Sequence, residues 1–203
     1  MMSTFLCGVS AAAITAQLTS TPLTWTDLFT SGLNNTNALT SGRTYMMRYT
    51  GVRPAPFTNV RMTFSCTSGA TLTVSKVYIG EVASDRSGYF FQSAPTQVFF
   101  DGGSASFSLS GVSSKLSDEI DFDFSGARAL GIALYLSARS GSVPRLINGT
   151  TARTYYVAGD SASDPTNAAT VEPSTNLILL SDVDVVLGIA LVVNKILASR
   201  QAV

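Results

Sequence analysis

From Arg43 onward, apolar and polar residues alternate with a period of two, the spacing of a β-strand with one face on a core. In "NVRMTFSC", Val60, Met62, Phe64 and Cys66 fall on one face and Arg61, Thr63 and Ser65 on the other. "ATLTVSKVYIG" follows the turn pair Ser68-Gly69 and reads as the second arm of a hairpin. "TQVFF" and "ASFSLSG" flank Asp101-Gly102-Gly103, which predicts another hairpin. In "DEIDFDFSG", Ile120, Phe122 and Phe124 alternate with Glu119, Asp121 and Asp123. "ALGIALYLSA" puts Leu130, Ile132, Leu134 and Leu136 on one face, and "ARTYYVAGD" adds a strand before a turn at Gly159-Asp160. Short strands at roughly ten-residue spacing with Gly, Asp and Ser turns predict an all-β antiparallel sandwich. Helical periodicity is nearly absent, and "WTDLFTSGL" promises no more than a short turn.

Three segments follow from this pattern. Residues 1–41, rich in Thr, Asn and Ser, read as an extended N-terminal arm for anchoring or assembly. Residues 42–193 form the sandwich, with a polar loop over Ser161 to Thr175, and residues 194–203 form a C-terminal tail. No Lys or Arg precedes the small-residue run at the N-terminus, so it reads as a retained arm, not an export signal. The longest apolar run, Leu177 to Leu197, is broken by Asp182, Asp184, Asn194 and Lys195, so no membrane span is expected. Left bare, that run is an aggregation liability, which points towards assembly.

Composition narrows the chemistry. Charged residues are 13% of the chain against 45% hydrophobic, and the formal net charge is zero. No basic field exists to draw in a phosphate backbone, so nucleic acid is not an expected partner. Little colloidal repulsion remains either, which a subunit held in a particle tolerates. The chain contains no histidine, which excludes Ser-His-Asp and Cys-His catalysis, His-containing zinc sites and His-ligated haem. Cys7 and Cys66 lack CxxC spacing and read either as free buried thiols or as one disulfide. Asp118, Glu119, Asp121 and Asp123 suggest a hard-cation site, but Glu119, Asp121 and Asp123 would lie about 7 Å apart along one strand face, which suits an outward polar face better. Neither a metal nor another cofactor is expected. Tyr89, Phe90, Phe91, Tyr155 and Tyr156 are the candidate glycan or partner contacts, because three consecutive aromatics cannot all enter one side of a sheet. Arginines are dispersed along the chain, which favours paired interface contacts over a steering patch.

Several segments together resemble a known family. "NVRMTFSCTSGATLTVSKVYIG", "PTQVFFDGGSASFSLSGVSSKLSDEIDFDF", "ALGIALYLSARSG", "ARTYYVAGD" and "LILLSDVDVV" follow the same order as in the N-terminal β-sandwich (jelly-roll-like) accessory domain of two-domain GDSL/SGNH-type bacterial esterases, over about Gly42 to Val186. In that family, the strand after "VDV" leads to a Gly-Asp-Ser nucleophile motif, and an Asp-x-x-His pair closes the chain. Here "LGIALVVNKILASRQAV" stands in that place. Gly159-Asp160-Ser161 lies upstream, within the accessory-domain match, and no histidine exists to activate Ser161, so it reads as a polar turn. The resemblance implies an accessory sandwich without its catalytic domain.

The expectation from sequence is therefore a non-enzymatic structural protein of a bacteriophage or phage-like particle: a head decoration, a spike or fibre, or a tail component. It would be a homo-oligomer located in the virion, contacting other virion proteins and host surface polysaccharide. The alternative is a free-standing carbohydrate-binding module, secreted or at the cell surface. An esterase with an unorthodox Ser161 centre comes third.

Overall fold

The structure is a computed structural model and describes residues 23–30, 33, 35–37, 39–49, 55–83, 91–147, 152–164, 170–171 and 175–187. Most of the expected arm and all of the C-terminal tail lie outside them, as do Tyr89, Phe90 and Cys7. The described residues contain strands and turns only. The first five strands are β1 (Thr26–Thr30), β2 (Asn35–Asn37), β3 (Arg43–Tyr49), β4 (Phe57–Cys66) and β5 (Thr71–Val82). Next come β6 (Thr96–Val98), β7 (Phe107–Ser110), β8 (Ser113–Leu116), β9 (Ile120–Phe124) and β10 (Ala129–Ser140). The last are β11 (Val143–Ile147), β12 (Ala152–Ala158), β13 (Thr170–Val171), β14 (Thr175–Ile178) and β15 (Leu180–Leu187).

These strands build an antiparallel sandwich. The five-stranded sheet runs β1-β15-β4, with β8 and β9 sharing the far edge of β4. The seven-stranded sheet runs β13-β12-β3-β10-β5, with β6 and β7 in succession along the outer edge of β5. A small sheet, β14-β11-β2, sits apart from both ladders. The core lies between the two large sheets, where Val60, Met62 and Phe64 of β4 meet Leu130, Ile132, Leu134 and Leu136 of β10. Alternation in β4, β9 and β10 follows the sequence expectation: the even-numbered residues of β10 from Leu130 to Leu136 are all buried, while Asp121 and Asp123 of β9 are exposed.

Two predicted hairpins take another form. Strands β4 and β5 belong to different sheets, so the turn at Ser68-Gly69 carries the chain across the core instead of folding it back on itself. The cause is apolar: Phe64 and Cys66 before the turn and Leu72 and Val74 after it all need the same core, which they share by facing one another. Strands β6 and β7 likewise do not pair with each other. Both pair with β5, and the loop between them buries Phe100 against Phe64 and Phe107, with centroids 6.0 and 4.5 Å away.

The sandwich also begins before residue 42. Strand β1, expected as a turn within the arm, pairs with β15 from Thr26↔Val185 to Thr30↔Asp182 and completes the five-stranded sheet. Trp25 then lies over the Arg61 guanidinium at 4.5 Å, and Arg61 is salt-bridged to Asp184 at 2.8 Å. Cys66 is buried with a free thiol that faces the carbonyls of Thr67 and Ala70, and burial pushes its pKa up.

Candidate functional site

In a sandwich, one face of each sheet is used by the core and the other is left for function. On the seven-stranded sheet that outer face is not simply polar. Cross-strand pairing lines up Tyr155, Met46, Ala133 and Tyr78 on β12, β3, β10 and β5. Met46 and Ala133 are fully buried, Tyr155 is 6% exposed, and together with Val82 and Ala162 they form a second apolar cluster. Tyr78, Tyr135 and Phe91 pack half-buried against it. This sheet is therefore apolar on both faces along its centre, a pattern expected of a middle layer.

The expected contact aromatics do not form one platform. Tyr155 faces outward, whereas its neighbour Tyr156 points into the sandwich, 6.3 Å from Tyr45, with the Arg43 guanidinium 4.4 Å over its ring. Phe91 shares the outer face with Tyr155 and lies on the backbone of Gly80, where a Cβ would come within 2.6 Å of the ring. Tyr89 and Phe90 lie outside the described residues. Tyr78 and Tyr135 belong with Phe91 and Tyr155, although neither is singled out from the sequence as a contact residue. The signal lay in "ALGIALYL", a nearly unbroken apolar run where a strand with one solvent face would alternate.

Gly159-Asp160-Ser161 is a strap over the edge of this second cluster. Buried Thr44 anchors it, donating its hydroxyl to the Gly159 carbonyl at 2.9 Å and accepting the Ser161 amide at 2.8 Å. Asp160 forms a salt bridge with Lys76 at 2.6 Å, which raises the lysine pKa through that hydrogen bond and the attraction of the carboxylate. Ala162 is fully buried beneath it. Each described polar contact of the strap is structural.

The acidic stretch divides by role. The Asp118 carboxylate accepts the Gly102 and Gly103 amides at 3.0 and 2.9 Å and so closes the loop that carries Phe100. Lys115 engages Asp101 in the same loop. Asp121 and Asp123 line the exposed face of β9 and Glu119 stands just before it, with Asn59 Nδ2 donating to Glu119 at 3.0 Å and to Asp121 at 2.9 Å. Among the described residues, no group of three or more His, Cys, Asp or Glu could hold a metal ion. An open groove lies across β7, β5 and β10, lined by Thr71, Thr73, Ser108, Ser110 and Ser140 beside Arg139. Its hydroxyls bond one another, Thr71 to Ser140 at 2.7 Å and Thr73 to Ser108 at 2.9 Å. The arrangement offers polar contact without a nucleophile–base pair. No protein-family model and no curated protein sequence matches the chain.

Proposed function

We propose that the chain is a non-enzymatic structural protein that works by packing into a larger assembly, in the setting of a bacteriophage or phage-like particle. The observation that carries this reading is the seven-stranded sheet with apolar residues on both faces: Met46, Ala133 and Tyr155 on the outer side as well as the sandwich core on the inner. Met46 and Ala133 are covered within the chain itself, which makes the sheet a middle layer, and the half-buried Tyr78, Tyr135 and Phe91 at the margin of that layer are the surface a neighbour would complete. The absence of histidine and the zero net charge agree with it, and the neutral, hydroxyl-rich composition supports a particle setting, where little colloidal repulsion is needed. The described hydroxyls and carboxylates of the strap and of the Asp101–Gly103 loop are engaged in holding turns, which supports a structural role for them.

A second reading is the carbohydrate-binding module, favoured by half-buried Phe91, Tyr78 and Tyr135 on a common face, since sugar rings stack on such aromatics. Electron microscopy of the purified full-length protein, run beside a glycan array, separates the two. Regular assemblies with no glycan signal support the structural reading. Glycan binding by a protein that forms no assemblies would overturn it.

A further inference from the structure

The two outer faces carry patches of opposite charge. On the seven-stranded sheet, Arg48 of β3 and Arg153 of β12 are direct cross-strand neighbours. Adjacent strands lie about 4.8 Å apart, and like charges placed opposite one another repel. Among the described residues neither guanidinium has a carboxylate partner, and Arg153 is exposed. On its other side Arg48 is paired with Gly131, which has no side chain to place between the arginine and an incoming group.

The opposite side of the molecule holds the complementary charge. Strand β9 and the residue before it present Asp121, Asp123 and Glu119, all exposed and about 7 Å apart along the chain. Their described donor is the Asn59 amide, which is neutral, and Arg61 on the same face is engaged by Asp184. A chain whose 13 cations and 13 anions cancel overall thus separates sign between its two faces at these patches.

We infer that the occupant of the Arg48–Arg153 pair is a second copy of this chain, docking through the carboxylates of its β9. Guanidinium forks match carboxylates with two parallel hydrogen bonds, and exposed Arg153, with Arg48 beside it, offers such a fork to solvent. The two patches are different surfaces, so the contact is head-to-tail and repeats, producing a ring or a filament instead of a two-fold dimer. This inference rests on the assembly role proposed above and specifies its interface.

The test uses full-length protein and two charge reversals at exposed positions, Arg153→Glu on one face and Asp121→Lys with Asp123→Lys on the other. Circular dichroism melts establish that each variant is folded. Light scattering at low salt should show the wild type growing in mass with concentration and each variant reduced to a monomer. Mixing the two variants should restore growth in mass, because each retains the face the other has lost and the two reversed faces are themselves of opposite sign. Variants that assemble as the wild type does, or a wild type that stops at a two-fold dimer, would remove this interface while leaving the assembly role standing. In that case the β9 carboxylates serve only to protect a sheet edge. A wild type monomeric at every concentration and salt would remove both. Unchanged assembly together with loss of polygalacturonate binding in Arg153→Glu would make the arginine pair a glycan-carboxylate site and overturn the inference.

Discussion

At the scale of single residues, backbone geometry decides more than side-chain chemistry does. Gly141 closes the β10–β11 turn at φ +68°, and a Cβ there would stand 2.3 Å from the Gly69 carbonyl oxygen. Gly69 has a similar φ of +76° but open space around its missing side chain. Gly69→Ala is therefore expected to cost about 1–2 kcal/mol, the conformational term alone. Gly141→Ala is expected to cost at least about 2 kcal/mol more, because backbone packed on backbone cannot swing aside. Urea denaturation of the pair checks this, and equal costs would contradict the close approach. The Lys76–Asp160 bridge calls for a smaller effect. Its two side chains are 42% and 32% exposed, so it contributes under about 1 kcal/mol. Asp160 raises the lysine pKa from 10.5, so the folded state favours the protonated amine. That contribution is complete below the unfolded pKa and is lost as pH rises through the raised one. Wild type and Lys76→Gln should then converge in stability at strongly alkaline pH, and a gap that widens there would contradict the bridge.

At the scale of elements, alternation told which side of a strand is inside but not which strand lies beside it. Val60 to Cys66 and Leu130 to Leu136 keep the faces their sequence suggests. Period two is the same for every neighbour, however, and Ser68-Gly69 specifies a reversal without its destination. The missing information is tertiary: β4 and β5 face one another because both feed the same core. The loop between β6 and β7 shows the same effect, since "VFFDGG" does not reveal that Phe100 is fully buried and Phe99 is 39% exposed. Phe100→Ala is expected to destabilise the fold by about 3–5 kcal/mol, and Phe99→Ala by less than about 1 kcal/mol. Thermal melts of the two variants check the assignment, and a reversed order would contradict it. Strand β1 was hidden for a related reason. Its residues carry little apolar periodicity, and pairing with β15 is what makes them a strand.

At the scale of the whole molecule, sequence gave the all-β class and the outward acidic face of β9, while the grouping of distant residues appeared only in three dimensions. Adjacent Tyr155 and Tyr156 part to opposite faces, and Tyr78, Tyr135 and Phe91 join Tyr155 from three other segments. Arg48 and Arg153, dispersed along the chain, become neighbours through the β3–β12 register. A second apolar layer with half-buried aromatics at its margin and two patches of opposite sign are the features on which the proposed assembly role rests. The mass of the full-length protein in solution, measured by light scattering coupled to size exclusion at low and high salt, tests that claim most directly. The account predicts defined higher-order species at low salt that shrink as ionic strength rises. A monomer at both salt concentrations would contradict it.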